Sequence, residues 1–164
     1  MTVQAGSRNL EGHLAWNIKA RFREYVRSLP DGKEAWLGGA GTMDADTIRF
    51  QLEDATDFNT GTFQGVLRFS GRLRFSGYRG ALRVDIADPW LEVHGNDIHV
   101  TANIAPAGLE SNRVEIATTK APTDGADTLR WQKLATSLTE EGTALLGNHY
   151  TEADALSVMF VSKN

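Results

Sequence analysis

Leu67-Arg68-Phe69-Ser70-Gly71-Arg72-Leu73-Arg74-Phe75-Ser76-Gly77, LRFSGRLRFSG, decides the fold class of this chain. Large apolar residues fall at 67, 69, 73 and 75, and charged or hydroxylated ones at 68, 70, 72, 74 and 76. A period of two is the mark of a strand with one buried and one wet face. Leu67, Phe69, Leu73 and Phe75 are therefore expected inward. Arg68, Ser70, Arg72, Arg74, Ser76 and Tyr78 take the opposite face if the stretch is continuous. Gly71 and Gly77 mark bulges or bends. The LRFSG doublet is too short to be a structural repeat.

The same alternation recurs on both sides. Ile48, Phe50 and Leu52 form one half-buried strand, and Leu82, Val84 and Ile86 another, which Asp88-Pro89 is expected to interrupt. Trp90–His94 and Ile98–Ile104 read as a hairpin turning at Gly95-Asn96-Asp97. Ile98, Val100, Ala102 and Ile104 share its inner face, leaving His99, Thr101 and Asn103 on the other. Trp36–Met43 is a glycine-rich strand, Asp57–Thr62 a turn, and Val114–Ala117, Thr128–Leu134 and Ala155–Val161 further strands. Two segments follow a helical period instead. Leu14, Ile18, Phe22, Tyr25 and Leu29 recur at steps of three and four around Trp16–Leu29. That spacing predicts an amphipathic helix over 13–28, with Lys19, Arg23 and Arg27 outward, stopped by Leu29-Pro30-Asp31-Gly32. Thr139 can N-cap a short second helix, with Glu140 and Glu141 in its first turn and Gly147 past its end. The expected fold is mainly β: an antiparallel β-sandwich or barrel-like domain with an N-terminal amphipathic helix and a short C-terminal helix. Residues 1–12 form a flexible arm and 13–164 a single domain.

The totals exclude several function classes. At 164 residues, 41% hydrophobic and net charge −4, this is an ordinary globular composition without the basic field that nucleic acid would require. No apolar run reaches the length of a bilayer span, and MTVQAGSRNLEGH lacks the apolar core of an export signal. The chain as written is expected in the cytoplasm, without membrane insertion. The absence of cysteine removes disulfides, thiolate metal sites and cysteine nucleophiles. There is no GxSxG elbow, P-loop, HExxH or GxGxxG. His13, His94, His99 and His149 show no helical metal-ligand spacing. Tyr25 reads either as a core tyrosine bonded to a backbone carbonyl or as a ligand-binding phenol. The row Arg68, Arg72, Arg74 is either a solvated sheet surface or a cationic wall for carboxylates. His99 is either exposed or, if its face lines a pocket, a partner for that tyrosine.

Three segments, in order and over roughly 13–161, resemble the HtaA-type haem-binding domain of actinobacterial haem-uptake proteins. Trp16-Asn17-Ile18-Lys19 through Phe22-Arg23-Glu24-Tyr25-Val26 is similar to the family's W-x-[VI]-K…F-R-x-Y-[IV]. Gly65-Val66 through Phe75-Ser76-Gly77-Tyr78-Arg79-Gly80-Ala81-Leu82 is similar to its F-x-G…F-x-G-H-x-G-x-L. Leu138-Thr139-Glu140-Glu141-Gly142, followed by Leu146-Gly147-Asn148-His149-Tyr150, is similar to its L-T-x-x-G…G-x-Y.

The resemblance implies a mostly β fold that holds ferric protoporphyrin IX through an axial tyrosine. It matches that ligand to Tyr25 and the histidine that hydrogen-bonds it to His99, with His94 as the alternative. It implies that arginine or serine of the sheet face, such as Arg74, meets the haem propionates, and that another haem-carrier protein is a partner for transfer. The family usually works outside the membrane. Two positions depart from its pattern: Tyr78 stands where it has the G-H-x-G histidine, and Arg21 where a small residue such as serine is expected. A phenolate is a hard anion suited to ferric iron. Free tyrosine ionises near pH 10, so iron and a hydrogen-bond donor must hold the phenolate. The implied function is a haem carrier or store. The alternatives are an enzyme using the same pocket, with or without haem, and a module binding another flat acidic molecule or a protein.

Overall fold

A thirteen-residue strand is the spine of the structure. This computed structural model describes residues 10–16, 20–42, 47–59, 62–106, 112–121, 130–134, 136–140 and 156–162. Its elements are β1 (Leu10–Trp16), α1 (Ala20–Ser28), β2 (Lys33–Leu37), β3 (Ala40–Thr42), β4 (Ile48–Asp54), β5 (Phe58–Asn59), β6 (Gln64–Ser70) and β7 (Arg72–Gly77). A 3-10 turn (Tyr78–Gly80) leads to the spine, β8 (Leu82–His94), and then to β9 (Asp97–Pro106), β10 (Asn112–Lys120), β11 (Arg130–Leu134), β12 (Ser137–Leu138) and β13 (Leu156–Ser162). All strand pairs are antiparallel, in an open sheet of order β11-β13-β1-β4-β6-β8-β9-β10-β12. Strand β7 runs beside β8 and carries β2 on its other side; β3 lies against β4 and β5 against β6. The mainly β, antiparallel expectation holds, and the sheet does not close.

The inward residues of the doublet are all core. Leu67, Phe69, Leu73 and Phe75 are fully buried together with Phe50, Ile86, Leu91, Ile98, Val100 and Ala102. Two bends lie side by side, one between β6 and β7 and one in β8, with which both pair. At Gly71, between β6 and β7, φ is 134°, and a Cβ there would collide with the backbone of Ala40. The adjacent bend in β8 is Asp88, a non-glycine residue at φ 51°. Its amide donates to the Gly71 carbonyl at 2.8 Å, and its carboxylate accepts the Gly71 amide at 3.1 Å. Asp88-Pro89 therefore does not interrupt the strand as expected. It is a bulge between Ala87 and Trp90, because the missing proline N–H is absorbed where the register shifts.

The N-terminal region needs a larger correction. The expected helix over 13–28 is only Ala20–Ser28, and Leu10–Trp16 is strand β1, bonded to β13 on one edge and β4 on the other. Residues 10–12 thus belong to the sheet rather than to an arm. Leu14 and Trp16 are fully buried because they alternate on the strand's inner face. The inward face of α1 is not the expected one either. Val26 and Arg23 are buried, whereas Tyr25 is 47% exposed. Arg23 is accommodated because Glu34 of β2 meets it as a fork, Nε–Oε2 3.1 Å and Nη2–Oε1 3.2 Å. Thr139 directly precedes the helical residue Glu140, where the second helix was expected to begin; its hydroxyl also donates to the carbonyl of Glu115 and its amide to that of Ile116, tying it to β10. The rest of the expected second helix, from Glu141 to Gly147, lies outside the described residues. Among the described residues no helix is long and apolar enough to cross a membrane.

Candidate functional site

The tyrosine on α1 and the tyrosine after β7 meet. The turn after the helix docks on the end of β7 so closely that a side chain at Gly77 would run into Leu29. The chain then makes three successive left-handed residues, Tyr78 at φ 48°, Arg79 at 56° and Gly80 at 92°. This swings Tyr78 back toward the helix, and its hydroxyl lies 2.8 Å from that of Tyr25. Both rings are about half exposed, at 47% and 54%. The hydrogen bond shared with Tyr78, then desolvation and electrostatic coupling to the same neighbour, push the Tyr25 hydroxyl above the ordinary tyrosine range. In the ligand-free chain Tyr25 is therefore a neutral phenol at neutral pH. The core-tyrosine reading of Tyr25 is corrected: it neither fills the interior nor bonds a backbone carbonyl.

The left-handed turn is held from outside. Asp31, in the turn that ends α1, accepts the amides of Tyr78 at 3.0 Å and Arg79 at 2.6 Å. The Arg79 amide first, then, against a little burial, those of Tyr78 and of Asp31 itself with the Lys33 charge, hold this carboxyl below the usual range. The Arg79 side chain is exposed and meets no carboxylate among the described residues. Neither Asp31 nor Arg79 was singled out for this site in the sequence. The visible signals were the Pro-Asp-Gly turn and the glycines flanking Tyr78-Arg79.

Other site candidates fall elsewhere. His99 does lie on the outer face of β9, but opposite Glu92, while Tyr78 follows the Gly77–Leu82 pair. Ten residues of β8 separate the two, on the order of 30 Å at the usual strand rise. His99 bonds Glu115 at 2.9 Å, sits near His94, and borders a cavity of about 500 Å³ with Asp97, Lys120 and Ser137. The expected pairing of Tyr25 with His99, or with His94, is thus corrected: the partner is Tyr78. Arg74 is closed by Asp85, Nε–Oδ1 2.8 Å and Nη2–Oδ2 3.0 Å. Arg68 is bound to Asp57 at 2.6 Å and lies over the Trp90 ring, whose centroid Arg113 also approaches, at 3.8 Å. The arginine row is therefore largely engaged in structural ion pairs, and Arg74 is not free to meet a ligand's carboxylates. Arg21 falls within α1, but its side chain lies outside the described residues. Among the described residues, no three His, Asp or Glu side chains come together to hold a metal ion.

Comparison with known proteins places the chain. No curated protein sequence matches it. Several solved structures share its fold, among them the following three. The N-terminal domain of HtaA from Corynebacterium glutamicum superposes with a TM-score of 0.72 at 19% identity, covering 93% of this chain and 96% of that one. The C-terminal domain of the same protein gives 0.70 at 20% identity, with 93% and 96% covered. The heme-binding protein HtaB from the same organism gives 0.67 at 16%, with 94% and 96% covered. A family model described as Htaa matches residues 11–161, and the chain belongs to the HtaA family.

Proposed function

We propose that this chain binds ferric haem through the Tyr25 phenol and serves as a non-catalytic carrier or store. The observation that carries this reading is the exposed Tyr25 hydroxyl with one phenolic neighbour at 2.8 Å. A tyrosine buried for packing alone would turn its hydroxyl into the protein; this one stands half in solvent, reachable by a flat ligand. The family supports the reading, as does the fold shared with a protein named for heme binding. The residues fit the group. Once Tyr25 gives up its proton, Tyr78 can donate to the phenolate and still leave an oxygen lone pair outward, because each hydroxyl has one proton and two acceptor positions. Haem, when bound, supplies the ferric Lewis acid that holds the phenolate at a pH where free tyrosine stays protonated. The chain supplies the oxygen ligand, its hydrogen-bond donor and, in Arg79, a guanidinium available for the haem's carboxylates. Another haem-carrier protein is the natural donor or acceptor for such an open site.

The test is a hemin titration followed by absorbance in the wild type and in Tyr25→Phe. Saturable one-to-one binding with a tyrosinate charge-transfer band, lost in the variant, is the expected outcome. Binding that is identical in the two proteins overturns the ligand assignment.

A further inference from the structure

We infer that Asp31 is the positioning residue of this site: its carboxylate locks Tyr78 and Arg79 in left-handed conformations and so sets Tyr78 against Tyr25. The inference rests on the reading of Tyr25 as a ligand, but its geometry stands apart from any ligand. Two consecutive non-glycine residues at φ 48° and 56° are sterically disfavoured and persist only where the surroundings over-determine them. The cap after the turn supplies one bond, the Ala81 amide to the Tyr78 carbonyl at 3.0 Å. The other two come from one carboxylate, which takes both disfavoured residues' amides at once. Charge-assisted bonds to adjacent amides are the strong kind. The low ionisation range of Asp31 agrees with its accepting them as an anion. A relaxed turn would carry the Tyr78 ring away from α1, and no other described side chain is hydrogen-bonded to the Tyr25 hydroxyl. Asp31 thus acts on Tyr25 through Tyr78, and the same clamp fixes where Arg79 leaves the backbone.

The experiment reads tyrosine ionisation in the ligand-free chain by ultraviolet absorbance. Asp31→Ala, Tyr78→Phe and the double variant are compared with wild type, each against its own Tyr25→Phe background. Asp31→Ala should shift the Tyr25 ionisation in the same direction and as far as Tyr78→Phe does, and the double variant should go no further. Hemin loss from Asp31→Ala should be faster by about tenfold, the usual effect of removing the support behind a metal ligand. If Asp31→Ala does not fold, Asp31→Asn, with a single acceptor oxygen, should give an intermediate shift. Tyr25 ionising in the Asp31 variant as it does in wild type, while Tyr78→Phe shifts it, overturns the inference. A wild type that binds no hemin overturns the haem reading and leaves the ionisation result to decide this one.

Discussion

Removing the carboxylate of Glu34 should loosen the helix that carries Tyr25. Helix α1 has nine residues, too few to be stable alone in water. Among the described residues it is attached through Val26 in the core and the Arg23–Glu34 fork, whose side chains are 2% and 7% exposed, besides the exposed contact of Tyr25 with Tyr78. In Glu34→Ala the buried guanidinium loses the carboxylate that meets it as a fork, and removing one partner of a buried pair costs about 3–5 kcal/mol. The second contact, Arg27 to Glu34 at 3.5 Å, is 44% exposed on the arginine side and adds well under about 1 kcal/mol. About 3 kcal/mol is the expected loss, since Glu34 sits at the edge of the sheet. For a domain of this size that lowers Tm by roughly 6–12 °C. Urea unfolding followed by the fluorescence of the four tryptophans measures it. Replacing both partners, Arg23→Met with Glu34→Leu, should recover most of the loss, because neither half of the fork is then left behind. A loss below about 1 kcal/mol in Glu34→Ala, with the slope unchanged, would refute the claim that the fork anchors the helix.

Three further outcomes follow from the same geometry. Burial alone would raise the Asp85 carboxyl, but the Arg74 hydrogen bonds and the charges of Arg74, Arg83 and Arg72 outweigh it and hold the group below its ordinary value of 3.8. Its stabilisation is therefore fully present above that value and lost as pH falls through the lowered one, so Asp85→Asn should remove part of the difference between urea midpoints at neutral and strongly acid pH. Gly71→Ala should cost at least about 2 kcal/mol by the same unfolding assay, because a Cβ at φ 134° meets the Ala40 backbone. Arg79→Gln should hasten hemin loss in stopped-flow transfer to an apo-globin while leaving Tm unchanged, since its guanidinium holds no structural carboxylate among the described residues.

The sheet was legible wherever the alternation was long. Ile48–Leu52, the LRFSG doublet and Ile98–Ile104 face as their periods predict, because one residue of slip would turn every one of those side chains to the wrong side. The N-terminus was not legible, because Leu14 satisfies two periods. It begins the helical series through Ile18 and Phe22, and it also alternates with Trp16 in a strand. Strand β1 wins through its partners β4 and β13, which lie far away in the chain. Arg23 was placed outside because a charge on a helix gives no sign of a carboxylate waiting on β2. Of the site, Tyr25 and Tyr78 were each singled out from the family pattern, but their contact spans 53 residues and depends on a left-handed turn. His99 shows the limit of parity: alternation gives the face of a strand, not the position along it. Asp31 read only as turn chemistry, since an aspartate before glycine stops a helix whether or not its carboxylate has a second task.

The central claim is that the oxygen of Tyr25 is the iron ligand. Resonance Raman spectroscopy of the hemin-loaded protein tests it most directly, because only a phenolate bound to iron gives enhanced ring and iron–oxygen modes. Wild type and Tyr78→Phe should both show those modes, shifted in the variant by loss of the hydrogen bond, and Tyr25→Phe should show none. Phenolate modes that persist in Tyr25→Phe, or that are absent from a saturated wild-type complex, would contradict the assignment.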